Sequence, residues 1–214
     1  MTNKTYSTII FDFDGTIADS LLLMIDIFNS MVHKFHADPI GIEKIEYLRG
    51  LTIKELVHEL KIPILLIPEF LFIGKRMMKK RIDELEPITG ISHLIEKLSK
   101  KYTMGILTSN DAETVQEFLL QHDLNHFKWI HSETSLFGKD KAIRKRLKLE
   151  HVIHREVLYI GDEIRDVESC KKVGIDVVSV AWGLNSHTLL ESSEPTYIVD
   201  DPSELETLLL NDYS

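Results

Sequence analysis

The sequence predicts an α/β protein with a Rossmann-like parallel sheet, helices on both faces of that sheet, and a small all-helical domain inserted into it. A short run of β-branched and aromatic residues, Ser7–Phe13, is typical of a buried strand. From Ile91 onward, helical segments alternate with short apolar runs, as they do in parallel sheets. Between these two regions, residues 20–86 show only helical periodicity, which indicates an insert.

Each element has its own signal in the sequence. In the insert, apolar residues spaced by three and four predict helices over Leu21–Phe35, Thr52–Leu60 and Glu69–Leu85, with breaks at Pro63 and Pro68. In the alternating region the predicted helices are Ile91–Lys100, Ala112–Gln121, Lys141–Leu149, Asp166–Val173 and Ser203–Leu210. The predicted strands there are Tyr102–Leu107, Trp129–His131, Val157–Ile160 and Val177–Val180. We therefore expect a core domain of residues 1–19 and 87–214, a helical domain of residues 20–86, and hinges near residues 18–20 and 86–90.

Composition narrows the classes of function. The chain has 214 residues and a net charge of −9, which argues against a general nucleic-acid binder. Its single cysteine, Cys170, excludes an internal disulfide and is typical of a reducing compartment. The sequence shows neither a signal-peptide pattern nor an apolar run long enough to span a bilayer, so we expect a soluble cytoplasmic protein without a membrane partner. Oligomeric state is left open.

Two carboxylates follow the first predicted strand. Asp12 and Asp14 are two residues apart, so their side chains point to the same side of an extended backbone. Such a pair is costly unless a proton or a cation neutralises it, and Mg²⁺ prefers carboxylate and phosphate oxygens. Aspartate is also a covalent nucleophile toward phosphorus. The alternative is a pair of solvated turn residues at a strand end.

Three later segments carry polar residues at or next to predicted strand ends, where ligands bind in open α/β sheets. Thr108 closes one strand, and its hydroxyl either contacts a phosphate or caps the next helix. Lys139 precedes a helix, where it either neutralises phosphate charge or belongs to a solvated basic face. Asp162 follows another strand and could complete a metal site with Asp12 and Asp14, while Asp166 could act as a helix cap.

Taken together, the four segments resemble the haloacid dehalogenase superfamily. The matching motifs are, in order, DFDGTIADS at 12–20, LTSN at 107–110, GK at 138–139 and GDEIRD at 161–166. The segments at 180–186 and 195–200 are similar to the phosphoglycolate-phosphatase-like branch. The resemblance covers nearly the whole chain.

The resemblance implies a role for each motif residue. Asp12 would be the nucleophile and a Mg²⁺ ligand. Asp14 would protonate the leaving oxygen, later activate water, and lend its backbone carbonyl to the metal. Thr108 and Lys139 would hold the transferring phosphoryl group, and Asp162 would complete the metal site. Further substrate-binding residues would be Gly15, Thr16, Ser109 and Asn110, and the residues around the metal ligands would include Glu163 and Asp166.

Two points stay open in this assignment. The third motif lacks the Lys-Pro pair of many relatives, so Lys141 could take the role of Lys139. The insert resembles a cap that closes over the site, and Arg49 and Gly50 are the residues of that cap expected to face the substrate. The alternative is that Arg49 is a surface cation and Gly50 a helix C-cap.

The predicted function is that of a Mg²⁺-dependent phosphatase that hydrolyses a small phosphorylated metabolite, with phosphoglycolate as the family-level substrate. One alternative is a sugar-phosphate mutase, which would pass the phosphoryl group from Asp12 to a second hydroxyl. Another is a non-catalytic regulatory protein, against which the complete set of acids weighs. Dehalogenation is disfavoured because the dehalogenases of the superfamily that this chain resembles do not keep the second acid, and Asp14 is present here.

Overall fold

The chain forms a six-stranded, all-parallel sheet in the order β3-β2-β1-β4-β5-β6. The computed structural model describes residues 5–133 and 138–210, so the outermost residues of the predicted core domain lie outside the described part. The strands are β1 (Thr8–Phe11), β2 (Thr103–Thr108), β3 (Trp129–Ser132), β4 (Val157–Gly161), β5 (Asp176–Val180) and β6 (Tyr197–Val199). The predicted fold class is confirmed.

Helices cover both faces of the sheet. Those outside the insert are α5 (Ile91–Ser99), α6 (Ala112–Gln121), α7 (Lys139–Leu149), α8 (Ile164–Val173), α9 (His187–Ser192) and α10 (Pro202–Leu210). The central strand β1 shows why two layers are needed, since Ile9 and Phe11 pack into one apolar cluster and Ile10 into another. Alternate side chains of a strand point to opposite faces, so both faces of β1 are buried.

Residues 20–86, which we call the helical insert, contain no strand in the structure. Their α-helices are α1 (Leu21–Phe35), α2 (Ile45–Arg49), α3 (Ile53–Glu59) and α4 (Ile67–Lys80), joined by 3₁₀ turns at Ile42–Lys44, Ile64–Leu66 and Ile82–Glu84. Part of the insert has its own apolar cluster, which includes Phe28, Leu48 and Ile62. Other residues of α1 and α4 join the cluster that covers one face of the sheet.

The two predicted hinge segments lie side by side. Ala18 and Pro87 form an isolated antiparallel bridge. The amide of Asp19 donates to the carbonyl of Glu86 over 2.9 Å, and the amide of Ile88 donates to Ile17 over 2.8 Å. The chain therefore enters and leaves the insert through one paired connection.

Some element boundaries differ from the prediction. Pro68 was expected to lie in a break between two helices. It occupies instead the first turn of α4, where the missing amide proton costs no helical hydrogen bond. The helix predicted over Glu69–Leu85 ends as an α-helix at Lys80 and continues as a 3₁₀ turn. The sequence prediction missed α2, α9 and β6, which are only 5, 6 and 3 residues long.

Among the described residues, none of the helices combines the length and the apolar character that crossing a bilayer requires.

Candidate active site

The carboxyl ends of β1 and β4 bring two aspartates to one lysine. Asp12 follows β1, and its amide donates to the carbonyl of Ile160 in β4, so the two strand ends are held together. The Lys139 ammonium lies 2.6 Å from one oxygen of Asp12 and forms a second ion pair with Asp166. All three side chains are almost fully enclosed, so these charges are only weakly screened by solvent.

Asp162 lies beside this pair and is held by groups from two loops. Its Oδ1 accepts a hydrogen bond from the Thr16 hydroxyl over 2.9 Å, and its Oδ2 accepts from the Leu184 amide over 2.6 Å. Gly15 has a φ of +70°, and a Cβ there would stand 2.2 Å from Asp162 Oδ2. A Cβ on Gly183 would come within 2.4 Å of the same oxygen. The two glycines let both loops approach the carboxylate closely.

These carboxylates form a group suited to a hard cation. One oxygen each from Asp12, Asp162 and Asp166 lies within 4.8 Å of the others, and all three residues are buried. Oxygen ligands of this kind are those that Mg²⁺ prefers. The residues present therefore fit the expected ion. Asp166 joins this group by its carboxylate, whereas the sequence prediction gave the third metal contact to the backbone carbonyl of Asp14.

The pKa values reflect the excess of negative charge. Burial, followed by the charges of Glu163 and Asp12, raises the pKa of Asp162 well above its ordinary value. Burial also raises the pKa of Asp166 to about 6, against the lowering effect of Lys139. For Lys139 itself, burial acts to lower the pKa, but the charges of Asp12 and Asp166 outweigh it and keep the pKa well above the usual range. A cation would relieve the repulsion among the acids.

Asp14 points to a different set of partners. Both of its carboxylate oxygens accept from the Asn110 amide nitrogen, over 3.1 and 2.9 Å. Burial, and then the charges of Asp12 and Glu163, raise the pKa of Asp14 to about 7, although a hydrogen bond with Ser20 lowers it. A carboxyl group with this pKa can carry a proton near neutrality, as a general acid must.

Glu163 and Arg165 form a salt bridge at the rim of the cluster, with Arg165 Nε 2.9 Å from a Glu163 oxygen. Burial acts to raise the pKa of Glu163, but the guanidinium of Arg165 lowers it overall. The Glu163 side chain also caps α8, and the Asp166 side chain reciprocally accepts from the Glu163 amide over 3.1 Å. Asp166 therefore contacts Lys139 with one oxygen and caps its helix with the other.

The second motif lies at the end of β2. Thr108 is buried, and its hydroxyl accepts from the Asn110 amide over 2.9 Å. Ser109 lines a pocket that Asp14 and Asn110 also border. Asn110 was expected to bind substrate, and in the structure its side chain holds Asp14. Lys141, the alternative to Lys139, is exposed.

Gly15 and Thr16 were expected to bind substrate. In the structure the Thr16 side chain is fully buried against Asp162, and Gly15 forms the turn beside it. Both residues therefore support a carboxylate of the proposed metal site.

Arg49 and Gly50 were expected to contact substrate, and in the structure both have partners or a role within the protein. The Arg49 guanidinium donates to the carbonyls of Ala181 over 2.7 Å and Gly183 over 3.1 Å, and to Glu46 over 2.8 Å. The carbonyl of Arg49 accepts from the Ser186 amide over 2.9 Å. Gly50 is the C-cap of α2, which was the alternative interpretation. Arg49 thus joins the helical insert to the loop after β5.

Sequence reasoning missed several supporting groups. Ser20 accepts from the Gly15 amide over 3.1 Å and hydrogen-bonds Asp14. Leu184 acts through its backbone amide, and Asn185 accepts from the Ile164 amide over 3.0 Å. Ser20 is the last residue of the first motif. The 180–186 segment, which contains Leu184 and Asn185, was interpreted only as similar to the phosphoglycolate-phosphatase-like branch, and it was the signal that could have identified this loop as part of the site.

Comparison with known proteins agrees with this geometry. A model of the haloacid dehalogenase-like hydrolase family matches residues 9–180. A phosphoglycolate phosphatase from Synechococcus elongatus is 31% identical over 92% of this chain and 94% of its own length. Pyrophosphatase PpaX from Bacillus mycoides is 24% identical, over 95% of this chain and 96% of its own.

A solved structure shares the fold. A haloacid dehalogenase-like family hydrolase from Streptococcus pneumoniae superposes with a TM-score of 0.80 at 23% identity, covering 95% of this chain and 98% of the other. The resemblance drawn from the motifs is confirmed, and so is the expectation of an enzyme of the phosphatase type. The chain belongs to the haloacid dehalogenase-like hydrolase family.

Proposed function

We propose that this protein is a Mg²⁺-dependent phosphatase that hydrolyses a small phosphate monoester of the phosphoglycolate type through an aspartyl-phosphate on Asp12. The observation that carries the proposal is the buried group of Asp12, Asp162 and Asp166. Lys139 forms ion pairs with Asp12 and Asp166, and Asp14 follows Asp12 by two residues. Nucleophile, countercharge and proton donor are thereby gathered at one edge of the sheet.

The first step would use Asp12 and Asp14 together. A carboxylate oxygen of Asp12 attacks phosphorus, the bond from phosphorus to the ester oxygen breaks, and Asp14 gives its proton to the departing oxygen. Mg²⁺, held by Asp12, Asp162 and either the Asp14 carbonyl or Asp166, would supply positive charge to the phosphoryl oxygens. Lys139 contributes a second positive charge next to Asp12.

The second step would return the enzyme to its starting state. Asp14, now ionised, takes a proton from water, and that water attacks the phosphorus of the aspartyl-phosphate. Inorganic phosphate leaves, and the Asp12 carboxylate is restored. Thr108 would donate to a phosphoryl oxygen, since its hydroxyl oxygen already accepts from Asn110 and, among the described residues, its proton goes to no protein group.

The helical insert would act as a cap. Support comes from its position over Asp14 and Asn110, which line a pocket together with residues of α1 and α4. The paired segments around Ala18 and Pro87 would be the hinge, because a movement there displaces the insert as a unit. Closure would exclude bulk water from the phosphoryl group during the first step, and reopening would admit the water that the second step uses.

Cellular location and partners follow as part of the same proposal. The single buried thiol of Cys170 and the net charge of −9 support a reducing cytoplasm and a small-molecule partner over a nucleic acid or a membrane surface.

The test is a panel of phosphate esters, including phosphoglycolate, pyrophosphate and hexose phosphates, with Mg²⁺ or with EDTA. We expect phosphate release that requires Mg²⁺ and falls by at least about 10³-fold in Asp12→Asn, because the nucleophile is removed. Lys139→Met should also be strongly impaired, and the exposed Lys141→Met serves as its matched control. Metal-independent release, or full activity in Asp12→Asn, would contradict the proposal, and transfer between hexose positions without release would indicate a mutase.

A further inference from the structure

A small pocket opens beside Asp14, between α1 and α4 of the helical insert. Its volume is about 170 Å³. Its walls are mainly apolar, and they are formed by Met24, Ile27, Phe28, Met31, Phe70, Leu71 and Met78. Asp14, Ser109 and Asn110 form its floor, and Lys75 also borders it. Because Asp14 is the proposed proton donor to the leaving oxygen, this pocket is where the rest of the substrate would lie.

Lys75 differs from the other cations near the site. A second, neighbouring pocket is bordered by Arg49 and Arg165. Arg49 is engaged by Ala181, Gly183 and Glu46, and Arg165 by Glu163. Lys75 is half-buried, and within residues 5–133 and 138–210 its ammonium has neither an ion-pair partner nor a hydrogen-bond partner.

An ammonium in this position favours an anion. Charges at a partly apolar surface interact more strongly than charges in bulk water, and a lysine without a counter-charge gains most from an anionic ligand. Asp14 is the one acid among the residues that line the pocket, but its carboxylate is already bonded to Asn110 and must carry a proton to act. An anionic group on the substrate would give Lys75 its partner.

We propose that Lys75 binds an anionic group on the leaving-group side of the substrate, and that the apolar walls contact a short carbon chain between that group and the phosphate ester. This inference rests on the proposed phosphatase function. The substrate class is a phosphate monoester whose alcohol carries a carboxylate or a second phosphoryl group.

The same walls disfavour sugar phosphates. A sugar would bring several hydroxyls against Met24, Phe28 and Leu71, where hydrogen-bonding groups are scarce, and each unsatisfied hydroxyl is costly to bury. The polar side chain of Asn110 in the floor already bonds Asp14. The pocket therefore selects against the polyhydroxy substrates that the mutase alternative requires.

The test compares esters that differ in charge but share a chain length. One pair is phosphoglycolate and ethyl phosphate, and a second is the phosphate ester of 3-hydroxypropionate and propyl phosphate. In Lys75→Met we expect kcat/KM for the anionic esters to fall by about 10- to 100-fold, the range for losing a charged hydrogen bond, while kcat/KM for the neutral esters changes by less than about threefold. Lys75→Arg should retain most of the activity toward the anionic esters.

The control is Lys80→Met, which removes an exposed lysine from the end of the same helix, outside the pocket. It should leave all four esters unaffected, and hydrolysis of ethyl phosphate by Lys75→Met shows that this variant is folded. Equal losses on charged and neutral esters, or no loss on either, would overturn the assignment to Lys75. A wild-type enzyme that prefers neutral esters would overturn the substrate class but leave the phosphatase function standing. Failure to hydrolyse any ester with Mg²⁺ would overturn both.

Discussion

Asp14 gives the site its expected pH dependence. Its pKa is raised to about 7, chiefly by burial and by the charge of Asp12. The acid must hold a proton when the leaving oxygen departs, so the competent fraction falls as pH rises through that pKa. Positive charge from bound Mg²⁺ lowers the pKa, so we expect kcat/KM for an alkyl phosphate to decline from pH 7 or slightly below.

An aryl ester supplies the control for this profile. The leaving oxygen of 4-nitrophenyl phosphate needs little protonation, so its pH profile should be much flatter above pH 7. By the same reasoning, Asp14→Asn should impair the alkyl ester more than the aryl ester. Parallel profiles for the two esters would show that Asp14 is not the proton donor.

At the scale of single residues, the sequence predicted the acids and the lysine of the site better than the groups that hydrogen-bond to them. Asp12, Asp162 and Lys139 were found because side-chain chemistry at a strand end is visible in the sequence, and the structure brings them together. Leu184 could not be found in this way, since it contributes a backbone amide that any residue possesses. The carbonyl partners of Arg49 could not be predicted either, because they lie more than 130 residues away in the chain.

At the scale of elements, the long amphipathic segments were predictable and the short ones were not. The helix Ala112–Gln121 has the predicted bounds because its apolar spacing spans the whole element. In contrast, β6 has only 3 residues, too few for a period to show, and it exists because β5 offers it a pairing edge. A strand that depends on pairing with another strand leaves no clear signal in its own local sequence.

Helix α2 carries a prediction about cap closure. Its last residue, Arg49, donates to the carbonyls of Ala181 and Gly183. The Arg49 side chain therefore connects the helical insert to the core by hydrogen bonds. In Arg49→Met we expect an insert that opens more often, a KM increased by about three- to tenfold, and faster limited proteolysis near residues 18–20 and 86–90 without substrate.

Lys54→Met is the matched control for Arg49→Met, because it removes an exposed cation from α3 of the same insert. Its proteolysis rate and KM should equal those of the wild type. If Arg49 instead bound substrate directly, Arg49→Met would raise KM yet leave the proteolysis of the ligand-free protein unchanged.

At the scale of the whole molecule, the sheet collects the site from distant parts of the chain. Asp12 and Lys139 are 127 residues apart, and they meet because β1 lies at the centre of the sheet, between β2 and β4. The stability of the core and the charge balance of the site are therefore linked. Without a cation, folding confines several buried acids around one lysine.

That linkage predicts how stability depends on pH and Mg²⁺. The folded-state pKa values of Asp14 and Asp166 are raised to about 7 and about 6, so the native state binds protons more tightly than the unfolded chain. As pH rises from about 4 through 7, Asp14 and Asp166 lose these protons, and the metal-free protein becomes less stable. The pKa of Glu163 is lowered, so this residue changes stability only at pH values below that range. Mg²⁺ must displace the protons, so it binds better at higher pH.

The measurement is the Tm with and without Mg²⁺ at pH 5.5 and pH 8. At a Mg²⁺ concentration about 100 times the dissociation constant, binding contributes about 2.7 kcal/mol, which corresponds to roughly 5–10 °C for a chain of this size. We expect a shift of that order at pH 8 and a much smaller one at pH 5.5. Asp12→Asn should lose the shift at both pH values, because a buried ligand is removed. A shift of equal size at both pH values, or one retained in Asp12→Asn, would mean that the cation binds away from these carboxylates.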